Sequence, residues 1–254
     1  MFSKLSITFG ALIGTTSVLA HGSITNFEAD GVHYEGFYYW HPLPNTSPGW
    51  AKTGDTGYVG FPDIYTNWTG DTNMPWVLND ENIICANDAT PGPTSATVHA
   101  GGDVRFNWGY WPQDHHGPIM TYMADCRGPC ETVDKTKLEW FKIQEMGLTN
   151  RTKNPDKPYS LDAHTNSTSG TWAVDWIIDH RYNFTVQIPS ALALGSYVIC
   201  HETILLHLAK LNKQIQSYPF CFNFKVTGTG TVSPQGVLGT QLYNINNPAF
   251  YYNL

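Results

Sequence analysis

The sequence predicts an all-β protein, an immunoglobulin/fibronectin-III-like antiparallel β-sandwich with long decorating loops. Three observations carry that prediction. Short apolar-alternating runs recur along the chain, each bounded by Gly, Pro, Asn or Asp clusters. No repeat, charge block or Ser/Pro-rich linker divides the sequence. A chain of 254 residues is long enough to fill one sandwich core and still carry long loops.

Residues 1–20 read as a secretory signal peptide. Lys4 gives the positive start, Leu5 to Val18 contains the apolar stretch, and Val18-Leu19-Ala20 ends it with a small residue. The run is too short to span a bilayer, and no later stretch is long enough, so a secreted, extracellular protein with no membrane partner is expected. Cleavage makes His21 the new N-terminus. An N-terminal His offers its α-amine and ring Nδ1 to one metal ion, and a third nitrogen from a distant His would complete a near-planar set suited to Cu(II). The competing reading is a histidine that falls at the cleavage site by chance.

The strand candidates after it are Ser23–Phe27, Ala96–Ala100, Asp103–Trp108, Ile119–Ala124 and Leu138–Gln144. Thr171–Ile178, Asn183–Ile188, Ser196–Ile204 and Phe220–Val226 follow. Between Tyr34 and Cys85 lies the longest loop, rich in rings: Tyr38, Tyr39, Trp40, Trp50, Tyr58, Tyr65, Trp68 and Trp76. A loop this long in one domain usually serves function, here a flat sugar-contacting surface, although its rings could equally pack the loop on itself.

Charge and composition narrow the partners. The formal net charge is −7, and loss of Lys4 with the signal peptide makes the mature chain one unit more acidic. Aromatic residues match charged ones at 14% each, a balance that suits uncharged ligands such as sugars. No basic run or Arg-aromatic stripe suggests nucleic acid, and no phosphate-cradling glycine loop appears. Asn-x-Ser/Thr sequons at Asn45, Asn67, Asn150, Asn166 and Asn183 are glycosylation candidates that fit secretion.

Cys85, Cys126, Cys130, Cys200 and Cys221 predict two disulfides and one leftover thiol. The Gly-Pro loop from Cys126 to Cys130 is short enough for a disulfide to close. Cys85 and Cys221 could join an early loop to a late strand, leaving Cys200, in an apolar run, as a buried thiol. The lack of a CxxC pair argues against a cysteine zinc site.

Chemistry concentrates in Trp111-Pro112-Gln113-Asp114-His115-His116-Gly117-Pro118. Two prolines restrict the backbone around two imidazoles, so these histidines sit on a fixed turn. Imidazole suits copper and zinc, but a surface or structural His pair gives the same pattern. Downstream, His201-Glu202-Thr203-Ile204-Leu205-Leu206-His207 lacks the HExxH spacing and lies in a strand-like region, which argues against a zinc protease.

Taken in order, these segments resemble the fungal lytic polysaccharide monooxygenases of auxiliary-activity family nine, formerly glycoside hydrolase family 61. The matching stretches are His21-Gly22, Asp80 to Cys85, Trp111 to Pro118, Cys126 to Cys130 and Thr132 to Glu139. Gly195 to Val198, His201-Glu202 with His207, Gln216 to Cys221, and Gly239-Thr240 complete the set. The resemblance implies one copper ion per chain, held by the amine and Nδ1 of His21 and Nε2 of His115, with Tyr218 axial. It places His207 and Gln216 beside the bound oxygen species and leaves His116 to structural hydrogen bonds. It also implies the Cys85–Cys221 and Cys126–Cys130 disulfides, with Cys200 free.

The activity implied is oxidative cleavage of β-1,4-glucans, cellulose or a hemicellulose, at C1 or C4. It uses O₂ or H₂O₂ and an external electron donor, a small molecule or a protein such as cellobiose dehydrogenase. Residues 21–254 would be a single catalytic domain, monomeric and without a carbohydrate-binding module. The sequence departs from the family pattern in a longer Tyr58–Cys85 loop and in Cys200 at a usually polar or basic position, and it reaches Leu254 close to or just before an expected surface tyrosine, for which Tyr251 or Tyr252 could stand in. Two other function classes compete. One is a glycoside hydrolase drawing on Glu139, Glu202, Asp175 or Asp179. The other is a non-catalytic copper- or glycan-binding protein in which His207 and Gln216 are bystanders.

Overall fold

Alternation of side chains decides where each strand packs. A computed structural model of the chain describes residues 22–37, 43–52, 81–86, 88–113, 115–149, 171–206 and 216–244. Strands β1 (Ile24–Ala29), β2 (Val32–Glu35), β6 (Asp103–Trp108) and β9 (Asn183–Gln187) form one sheet in the order β2-β1-β6-β9. The second sheet has the order β12-β8-β7-β10-β11-β5. Its strands are β5 (Ala96–His99), β7 (Ile119–Asp125), β8 (Glu139–Met146), β10 (Gly195–Leu205), β11 (Gln216–Thr227) and β12 (Val237–Leu238). A small ladder joins β3 (Ala51–Lys52) to β4 (Ala89–Thr90).

Between the two large sheets lies an aromatic core. Phe27 from the first sheet meets Phe222 and Phe224 from the second, with ring centroids 4.7 and 5.4 Å apart. On β10, Tyr197, Ile199 and Leu205 face this core, while Val198, Cys200 and Ile204 face a second apolar layer on the outer side of the six-stranded sheet. That layer is roofed by Trp50, Trp140 and the turn Ile83-Ile84-Cys85, so β10 is buried on both faces. A strand buried on both faces reads as a continuous apolar run, as Tyr197–Cys200 does.

Eight of the nine predicted runs are strands or lie on them. Thr171–Ile178 is the exception: Ala173–Asp179 forms helix α1. Trp172, Val174, Trp176 and Ile178 alternate as a strand would, but Ala173, Val174 and Ile177 share one buried helical face. The carboxylate of Asp175 accepts from the Trp172 amide at 2.8 Å and starts the helix. The second departure is pairing. The sandwich is antiparallel throughout its described ladders except for β11 with β5, which run parallel from Phe224↔Ala96 to Thr227↔His99. Their separation in sequence leaves room for the crossover that a parallel pair requires.

Cys85–Cys221 and Cys126–Cys130 are disulfides, and Cys200 is a buried free thiol, as expected. Within the long aromatic loop, Trp50 is packed rather than displayed: it is buried and donates from Nε1 to Asn223 Oδ1 at 2.6 Å. The other ring positions of that loop, with Tyr251 and Tyr252, lie outside the described residues. Of the sequons, Asn45 is exposed on a turn and Asn183 half-buried at the start of β9; Asn67, Asn150 and Asn166 lie outside the described residues.

Candidate metal centre

Three strands of the large sheet reach the same end together. Ile119 on β7 pairs with Thr203 on β10, and Thr203 pairs with Tyr218 on β11. His115 lies four residues before that row, and Gln216, paired with Leu205, two residues beyond it. The facing sheet arrives at this end through Ile24, paired with Trp108. His21 and His207 lie outside the described residues, and Gln216 is described by its backbone only. Gly22 and Leu206, the chain neighbours of His21 and His207, are described.

The turn carrying His115 is pinned to β10 by its backbone. His115 N donates to Pro112 O at 3.3 Å, Ile204 N to Pro118 O at 3.1 Å and Leu206 N to His116 O at 3.0 Å. Thr203 Oγ1 also donates to Pro118 O, at 2.9 Å. Gly117 makes the approach possible, because a Cβ there would lie 1.9 Å from the carbonyl oxygen of Ile204.

Trp111 joins the parts. Its indole Nε1 donates to the carbonyl of His115 at 3.2 Å. Its ring meets Tyr218 edge-on at 5.4 Å and Trp108 edge-on at 5.2 Å. Against its other edge lies Gly22, where a Cβ would fall 2.1 Å from Cε3. The chain just after His21 is fixed further by Gly109 N donating to Ser23 O at 2.7 Å and Ser23 Oγ to Phe37 O at 2.9 Å. One buried tryptophan therefore touches the residue after His21, the backbone of His115 and the ring of Tyr218. His115 is half-buried and Tyr218 fully buried.

The neighbouring histidines have other tasks. His116 Nδ1 lies 2.8 Å from Asp175 Oδ1, tying the turn to α1. His201 is a core residue: its Nδ1 lies 2.7 Å from Thr121 Oγ1 and its ring stacks on Phe106 at 4.4 Å. Burial pushes its pKa down to about 3, so it is neutral. On the opposite face of β10, burial pushes Glu202 up to about 8, with Ser217 Oγ donating to Oε2 at 3.3 Å.

These placements disperse the carboxylates on which a hydrolase would draw. Glu139 pairs with Arg127, Asp175 with His116, Glu202 is buried in the outer layer, and Asp179 is exposed at the end of α1. Sequence reasoning placed Asp175 among possible acids and gave Gly22 and Trp111 no task. A glycine directly after a candidate N-terminal ligand was the available signal.

Imidazole, amine and phenol donors suit a copper ion, and Trp111 brings Gly22, the backbone of His115 and the ring of Tyr218 together. Comparison with known proteins places the chain in a family. The sequence pattern of Auxiliary Activity family 9 (formerly GH61) matches residues 21–254. An AA9 family lytic polysaccharide monooxygenase I of Botryotinia fuckeliana is 40% identical over 260 residues, covering 100% of this chain and 85% of its own. The monooxygenase A of Malbranchea cinnamomea is 36% identical over 256 residues, covering 99% and 68%. Among solved structures, the extended catalytic domain of H. jecorina LPMO9A superposes with a TM-score of 0.72 at 36% identity, over 92% of this chain and 84% of that one. With that pattern matched from His21 to Leu254 and relatives 36–40% identical over 99–100% of this chain, the chain belongs to auxiliary activity family 9.

Proposed function

We propose that this chain is a secreted, copper-dependent lytic polysaccharide monooxygenase that cleaves β-1,4-glucans, cellulose or a related glucan, with an external reductant. The observation that carries the reading is the contact of Trp111 with Gly22, His115 and Tyr218 in a member of this family. The α-amine and Nδ1 of His21 and Nε2 of His115 would hold the ion, with Tyr218 completing the set. When bound, copper supplies the one-electron chemistry that lets O₂ or H₂O₂ oxidise a glycosidic carbon.

The protein's own groups prepare that chemistry. Trp111 fixes the backbone that presents His115, and the His116–Asp175 contact stops the adjacent ring from competing. Tyr218, held against Trp111, closes the site from the core side. His207 and Gln216 would hydrogen-bond the oxygen co-substrate from the β10–β11 end. The His21 amine, with an intrinsic pKa of about 8, must lose its proton on binding, so copper affinity falls as pH falls. Residues 21–254 act as one catalytic domain, monomeric and reduced by a small molecule or a protein such as cellobiose dehydrogenase.

The test compares mature protein, a form extended by one Met before His21, and His115→Ala, by copper titration and by mass spectrometry of products from β-glucans with ascorbate. Aldonic acids or 4-keto sugars from the mature form, and loss of copper affinity and oxidation in both others, are expected. Native sugars formed without reductant would mean a hydrolase. Copper binding without any cleavage would mean a binding protein. Full affinity in the Met-extended form would remove His21 from the ligand set.

A further inference from the structure

The outer layer of the large sheet holds three sulfur atoms where one disulfide needs two. Sγ of Cys85, Cys200 and Cys221 all lie within 4.8 Å of one another, and all three residues are buried. Cys85 and Cys221 form the disulfide, while Cys200 is the free thiol. Cys200 and Cys221 are also direct partners in the β10–β11 ladder, so their side chains project from the same face. Directly opposed residues have α-carbons about 4.5–5.5 Å apart. That spacing falls within the roughly 4.4–6.8 Å range in which a disulfide closes.

Cys85 comes to the cluster differently. It sits in the turn after Glu81–Ile83 with φ of 61°, and Ala86 follows at 83°. Two consecutive non-glycine residues in the left-handed region are strained, and the bond to Cys221 helps hold them there. Cys221 thus has one partner in a strained turn and another directly across a regular ladder.

We propose that Cys200 is a second, exchangeable disulfide partner of Cys221. The Cys200 sulfur attacks Sγ of Cys221, the Cys200–Cys221 bond forms as the Cys85–Cys221 bond breaks, and Cys85 leaves as the new thiol. The proton lost by Cys200 is regained by Cys85, so no external oxidant or reductant is consumed. The product is a cross-strand disulfide within the sheet, and the turn at residues 81–86 loses its covalent tie to β11. Cys85 then becomes the thiol open to modification. Burial, with Glu202 nearby on the same face, keeps the Cys200 thiol protonated well above the usual range, so exchange in the closed sheet is slow and speeds up in alkali. This inference does not depend on the copper reading.

Cys85→Ser in the full secreted chain gives the first test. Denatured without reductant, it should show no titratable thiol, and peptide mapping should recover Cys200 linked to Cys221. Two free thiols would overturn the proposal. Because that variant can fail to fold, wild-type protein held at pH 8.5 with catalytic glutathione, then acid-quenched and mapped, gives the second. A fraction with Cys200–Cys221 linked and Cys85 alkylated is expected, absent from Cys200→Ser. Cys85–Cys221 as the sole pairing of these three cysteines after prolonged incubation would overturn it equally.

Discussion

Gly22 lies against the edge of Trp111, a place that any larger side chain would have to take from the indole. Gly22→Ala should therefore displace the N-terminus while leaving the core strands intact. We expect copper affinity to fall by about 10- to 100-fold, the range seen when a group that orients a ligand is lost. Calorimetric titration, with thermal unfolding as the control, checks it; unchanged affinity would mean that Trp111 does not position the N-terminus. The candidate ligands are named from the sequence, His21 by the expected cleavage site, His115 by its Pro-bounded turn and Tyr218 by the family resemblance. Trp111 is not, because its role is to touch segments that are remote in sequence, and a one-dimensional pattern carries no such contact.

At the scale of elements, α1 and the His115 turn behave as one piece. Asp175 joins them, accepting from the Trp172 amide through one oxygen and facing His116 Nδ1 with the other, while Val174 N donates to Gly117 O at 3.4 Å. Asp175→Ala should remove both the acceptor for the Trp172 amide and the partner of His116 Nδ1 and cost about 1–3 kcal/mol, read by urea unfolding. Copper affinity should fall with it, since His116 and His115 share a backbone. The helix was misread as a strand because Trp172–Ile178 satisfies both periods, and only the seat of Asp175 decides between them. Strands β5, β6 and β9 were legible because each alternates over a buried face, and β7 and β10 because a strand buried on both faces reads as an apolar run; β1, β8 and β11 also lay among the predicted runs. The short ladders β2, β3, β4 and β12 carry too few residues to show a period, and the parallel β5–β11 pairing has no local signature.

For the molecule as a whole, two adjacent residues of β10 set opposing limits on stability with pH. His201, neutral in the fold with a pKa near 3 against an ordinary 6.5, contributes stability that is complete above 6.5 and lost as pH falls toward 3. Glu202, protonated in the fold up to about 8 against an ordinary 4.5, contributes stability that is complete below 4.5 and lost as pH rises toward 8. Between 4.5 and 6.5 the two slopes oppose each other, so the contribution of this pair is nearly flat. Outside that window each limb approaches about 1.4 kcal/mol per pH unit at most. Urea unfolding across pH should show the alkaline limb flattened in Glu202→Gln and the acid limb flattened in His201→Phe. A profile unchanged by either variant would mean that these groups titrate normally.

The tie between Cys85 and Cys221 also sets a clock on biosynthesis. The two residues are 136 apart, and at about 5–20 residues per second the second emerges roughly 7 to 27 seconds after the first. Cys126, Cys130 and Cys200 all appear in that interval, so Cys85 meets three other thiols before its native partner exists. Tyr218 and the strand that completes the sheet arrive in the same late segment. The end of the sheet that carries the candidate centre is therefore incomplete until translation has passed β11.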